Sequence, residues 1–269
     1  MKATAMGWAG SRSARPGWLL LIAVVLVTSV MVLPWHVAAS LTGAPWTAPV
    51  QLADSVRHGL LSDWSRSIAA PGEGASALAD EVQFWRWFHV VKAVLATGVL
   101  VASAGLVAQV WRARRASAQR WRRFGLLLAS GAGGGLFLLS LVVVIANVQG
   151  AVAPLSSVLS FLPANESDVG FASAVTSLRD SLSSPQPSAG AMAIVSDFSI
   201  YHVVVAVLLG ATTLLAAGLA FQLLRAREWL ATGMLVVVAL TFALLTVANV
   251  GTALHPIPAF DSFLSGVTS

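Results

Sequence analysis

The sequence predicts an all-helical integral membrane protein with five transmembrane helices, built from a duplicated span, outer segment and span unit plus one extra span. Three observations predict this class: the composition, the length of the apolar blocks, and the sorting of the basic residues. Of 269 residues, 57% are apolar and 10% are charged, with mean hydropathy +0.81. A soluble domain carries roughly 25% charge, so a soluble globule is excluded.

The apolar blocks are Trp18 to Leu33, His89 to Trp111, Phe124 to Val148, Tyr201 to Leu224 and Trp229 to Val250. At 1.5 Å per residue the last four cross a hydrocarbon layer of ~30 Å with room for tilt. Basic residues collect in Lys2, Arg12 and Arg15, in the run Arg112, Arg114, Arg115, Arg120, Arg122 and Arg123, and in Arg225 and Arg227. Ten of the eleven acids lie in the other connections, with Arg57, Arg66, Arg86 and Arg179; only Glu228 shares the Arg-rich turns. Lys and Arg near span ends stay on the cytoplasmic side. The expected order is therefore a cytoplasmic N-terminus (1–17), a first span (18–35), an extracytoplasmic segment (36–88), a second span (89–111), a cytoplasmic turn (112–123) and a third span (124–148). A second extracytoplasmic segment (149–200), a fourth span (201–224), a short turn (225–228), a fifth span (229–250) and an extracytoplasmic tail (251–269) complete it. Orientation and anionic lipid explain the net charge of +5, so nucleic acid is not an expected partner.

The first block is short, with a basic leader and Val37-Ala38-Ala39 before Ser40, a pattern close to a signal-peptidase site. Pro34, Trp35 and His36 instead suit an interfacial cap, which favours an uncleaved anchor. Residue 40 is outside either way.

An internal repeat is the strongest signal in the chain. Residues 88–115 align without gaps on residues 201–228, with thirteen of 28 positions identical. Apolar composition would match Val, Ala and Leu, but not His89 with His202, Gln109 with Gln222, or Arg112 and Arg114 with Arg225 and Arg227. The third and fifth spans also correspond, ending in Ala146-Asn147-Val148 and Ala248-Asn249-Val250. Two copies in one membrane orientation imply a pseudo-twofold axis along the membrane normal. Small residues mark expected helix contacts, since lipid gives apolar faces no reason to associate: Gly131 with Gly135, Gly98 with Ala102, and Ala216 with Ala220.

Each outer segment carries a stripe of apolar residues at helical spacing. In the first, Leu52, Val56, Leu60, Trp64 and Ile68 recur every fourth residue, between a start at Thr47 and Pro49 and a stop at Pro71-Gly72. In the second the stripe is Phe171, Val175, Leu178 and Leu182, closed by Ser184-Pro185-Gln186-Pro187. Two such amphipathic helices can pair as an outer cap, lie in the headgroups, or dock a partner.

All five histidines fall at or beyond the outer edge, and the repeat makes His89 and His202 symmetry mates. Two imidazoles approaching one axis suit a haem iron, a copper ion or a quinone headgroup. Lys92, one turn deeper than His89, opposes a metal and suits a quinone, a carboxylate or a lipid phosphate; Val205 replaces it in the other copy. The plainer reading makes both histidines interfacial anchors. Asn147 and Asn249 are repeat-equivalent and suit helix capping or bonding across helices more than substrate binding.

No G-x-S-x-G, HExxH, phosphate loop or GxGxxG motif occurs, and there is no cysteine. The acids Asp80-Glu81 and Glu166/Asp168 are expected in solvated surroundings, unsuited to general-acid tuning. Asn165-Glu166-Ser167 matches the glycosylation sequon, but 14 Arg against 2 Lys and 22 Gly suggest a GC-rich bacterial gene, where it has no role. No residue pattern names a cofactor. The expected role is non-enzymatic: an accessory or scaffold component of a cell-envelope assembly in the cytoplasmic membrane, holding another envelope protein or a second copy. An outer-face redox or ligand-binding protein using His89 and His202 is the alternative. A small transporter using Lys92 comes third, since carriers line a midplane site with several polar groups.

Overall fold

The computed structural model describes residues 16–67, 78–161 and 169–268. Every element among them is helical: α1 (Pro16–Thr42), α2 (Pro49–Ser67), α3 (Ala79–Ala116), α4 (Arg120–Val152), α5 (Pro154–Val158) followed by a 3₁₀ turn (Leu159–Phe161), α6 (Val169–Ser183), α7 (Ala189–Arg225), α8 (Trp229–Leu254) and α9 (Pro256–Thr268). Five of them, α1, α3, α4, α7 and α8, are long and apolar enough to cross a membrane. Ile68, Pro71-Gly72, the sequon and the basic N-terminus lie outside the described residues.

Three spans run well past their apolar blocks. α3 has 38 residues and α7 has 37, about 55 Å each, against ~30 Å of hydrocarbon. α1 likewise continues through Pro34-Trp35-His36, expected as a cap, to Thr42. It ends at Gly43, whose φ of +70° is the left-handed conformation glycine adopts at no steric cost. The extensions persist because they are packed from the side.

The chain divides into two compact units: residues 1–32 with 94–143, and residues 33–93 with 144–269. In the first, Gly98 and Gly105 of α3 lie against Leu26 and Leu19 of α1, and Gly133 of α4 lies against Val107 of α3. A β-carbon at Gly98 or Gly133 would sit 3.0 Å from the facing side chain, closer than such contacts normally come. Gly131 and Gly135, expected to mark a helix contact, face open space: an added β-carbon meets nothing within 4 Å at either. The close approach is displaced to Gly133 because one residue turns a helix by about 100°.

The second unit holds two hydrophobic cores. One joins Ala38 of α1, Trp46, Leu52 and Val56 of α2, Leu78, Phe84 of α3 and Val158 of α5. The other joins Leu159, Val175, Leu178 and Leu182 of α6, Ala191, Ile194 and Val195 of α7, and Phe260 and Leu264 of α9. Leu52 and Val56 of the first stripe and Val175, Leu178 and Leu182 of the second thus face inward, and α2 and α6 also pack on each other. Local chemistry supports the starts of α2 and α7. Gln51 Oε1 accepts from the Thr47 N–H at 2.8 Å at the start of α2, and Ser188 caps α7 by accepting from Ala191 N–H. The segment after α8, expected as a plain tail, is instead α9. Pro256 starts it and Ile257, Phe260 and Leu264 form its buried face, a spacing already present in the sequence.

Candidate functional site

In the second unit, two histidines each meet an asparagine of the following span. His89 Nδ1 of α3 lies 2.9 Å from Asn147 Oδ1 of α4, and His202 Nδ1 of α7 lies 2.7 Å from Asn249 Oδ1 of α8. Asn249 Nδ2 donates to the Leu245 carbonyl at 2.8 Å, which turns Oδ1 toward the imidazole. Each asparagine oxygen therefore accepts the Nδ1–H of its histidine.

The two sites differ beyond that shared bond. His89 Nε2 lies 3.0 Å from Ser157 Oγ of α5, and that hydroxyl accepts from the indole N–H of Trp85 at 3.0 Å. The chain of donors runs from Trp85 through Ser157 to His89 and on to Asn147, so both ring nitrogens of His89 are engaged. Edge-to-face contact with Trp85 at 4.7 Å and the backbone of Gly150 hold the ring in place. An added β-carbon at Gly150 would lie 2.6 Å from His89 Cδ2 and Nε2, so glycine alone admits the imidazole there. At His202 the described side-chain hydrogen bond is the one to Asn249, with Phe198 and Tyr201 edge-on to the ring. A metal at His89 would have to displace Ser157, whereas Nε2 of His202 carries no such bond among the described residues.

Other polar groups tie the elements together. The Gln149 amide of α4 donates to the Tyr201 hydroxyl of α7. Asp197 of α7 accepts the Ser156 N–H at 2.7 Å, and Ser199 donates to the Ala253 carbonyl at 3.1 Å. Lys92 places its ammonium 5.2 Å from the Phe88 ring centroid. The expectation of solvated acids fails at Glu81. That residue is only 6% exposed, because α2 covers the start of α3, and it accepts from the Ser55 hydroxyl. Arg179 and Asp261 pair between α6 and α9 at 2.6 Å. The Arg179 hydrogen bond, with its charge, holds the Asp261 carboxyl below the usual range, and Asp261 in turn raises Arg179.

His36 and His255 are exposed, and His58 bonds the Asp54 carbonyl of its own helix. No group of three or more His, Cys, Asp or Glu suited to a metal occurs among the described residues. The partners that sequence reasoning missed are Ser157, Trp85, Gly150, Gln149 and Tyr201. Only Tyr201, the one tyrosine of the chain, stands out in composition. Compared with protein-family models, curated proteins and solved structures, the chain matches none. Five apolar helices define the class, a membrane protein.

Proposed function

We propose that the chain is a multi-pass protein of a bacterial cytoplasmic membrane, with its N-terminus inside and its long segments and tail outside. It acts as a non-enzymatic scaffold or accessory component of an envelope assembly. The observation that carries this reading is the pair of packed cores that α2, α5, α6 and α9 build on the span ends. Such a cap presents a shaped protein surface, while His89, Asn147, Ser157 and Asp197 beneath it are taken up in bonds between helices. Satisfied polar networks of this kind rigidify a structure. The recurrence of one histidine–asparagine bond in both hairpins supports descent from a duplicated unit.

Gentle detergent extraction of the tagged full chain tests the proposal. Co-purification of a defined envelope protein, or of a second copy, is the expected outcome; a chain that runs alone in every detergent tried refutes it. Sidedness has its own test. A reporter active only in the periplasm is expected to work when fused after residue 75 or 186, and silence at both positions inverts the topology.

A further inference from the structure

We propose that Lys92 binds the phosphate of an anionic phospholipid, at the end of α3 that carries His89. Lys92 is the one charged residue within the five apolar blocks. It lies three residues into the span from His89, about 4.5 Å along the helix axis. An ammonium at membrane depth is costly unless it meets a counter-charge or reaches the interface.

Among the described residues no ion pair with Lys92 supplies that counter-charge; the one ion pair among them is Arg179–Asp261, far along the sequence. The nearest polar side chain on the same face of α3, His89, has both nitrogens engaged by Asn147 and Ser157. What Lys92 does have is an aromatic neighbour: its Nζ sits over Phe88, one turn toward the helix start, with Trp85 stacked on that ring at 4.6 Å. The ammonium is thus drawn toward the headgroup level and remains partly exposed. Trp35 joins the same aromatic group, at 6.1 Å from Phe88, as expected at a membrane–water boundary. The anion available at that boundary is a lipid phosphate. In the other hairpin the equivalent Val205 is buried and apolar, so the site exists once.

The inference rests on the helices crossing a bilayer and not on their sidedness or on a scaffold role. The full chain is extracted in mild detergent, stripped of lipid, and titrated with phosphatidylglycerol and with phosphatidylcholine, bound lipid being counted by native mass spectrometry. The wild type is expected to retain phosphatidylglycerol over phosphatidylcholine. Lys92→Met should weaken that retention about fivefold, the effect of one basic residue at a lipid surface, and Lys92→Arg should keep it. Circular dichroism and gel filtration of each variant separate lost binding from lost folding. Equal retention by Lys92→Met and wild type overturns the inference. Displacement of the lipid by millimolar inorganic phosphate assigns the site to a free anion and overturns the lipid identity. A chain found outside the membrane fraction refutes the membrane reading itself, which is a distinct outcome.

Discussion

Replacing Gly150 by alanine tests whether the His89 network is a rigid packed feature. The new methyl would stand 2.6 Å from two ring atoms, whereas carbon contacts settle near about 3.5 Å, so the imidazole must retreat by about 0.9 Å. The ring has little freedom to do so, with Asn147 at 2.9 Å, Ser157 at 3.0 Å and Trp85 against its edge. A retreat of that size stretches at least one of the two bonds beyond the useful range. Overpacking costs about 1–3 kcal/mol and each lost bond about 1 kcal/mol, offset by up to ~1 kcal/mol from the better helix propensity of alanine. A net loss of about 1–3 kcal/mol is expected, read as a fall of several degrees in the midpoint of heat inactivation in detergent. Gly131→Ala, which meets nothing within 4 Å, is the matched control and should lose no stability. The decisive arm is a double-mutant cycle, because Gly150→Ala in a His89→Ala background has no ring to strike and should then be harmless. Equal destabilisation in both backgrounds, or a Gly150→Ala protein as stable as the control, refutes the reasoning.

Two further outcomes follow from the same geometry. A cycle on His202 and Asn249, using His202→Phe and Asn249→Leu, should give a coupling of about 0.6–1.7 kcal/mol in thermal or denaturant unfolding, the range for polar pairs between membrane helices, and a coupling near zero removes their bond from the stability account. The Arg179–Asp261 pair should make the docking of α9 acid-sensitive: a depressed carboxyl contributes stability above its unfolded pKa and loses it as pH falls through the folded value. Hydrogen exchange in α9 should therefore rise in acid below the ordinary carboxylate range, and Asp261→Asn should show the faster exchange already at neutral pH. The effect is small because the two side chains are 39% and 43% exposed.

The five membrane helices were legible because bilayer thickness imposes a length of apolar chain, and such a run is a local property of the sequence. The helical spacing of Leu52 and Val56, and of Val175, Leu178 and Leu182, likewise marked α2 and α6, since a half-buried helix must sort its faces. The match of residues 88–115 with 201–228, and of the two Ala-Asn-Val span ends, singled out His89, His202, Asn147 and Asn249 as residues worth attention. Their pairing was another matter. A span apolar on all sides carries no periodic signal of which face meets a neighbour, so rotation about the helix axis is decided only when the helices pack. That rotation joined each histidine to the asparagine of its own hairpin, put Gly133 and Gly150 at the close approaches in place of Gly131 and Gly135, and buried Glu81 under α2. The sequence by itself determined how many helices are long and apolar enough to cross a membrane, and marked two of the short helices packed at their ends, α2 and α6. Only tertiary structure decided which side chains meet, because contacts between distant segments depend on angles of about 100° per residue that composition and length leave unspecified.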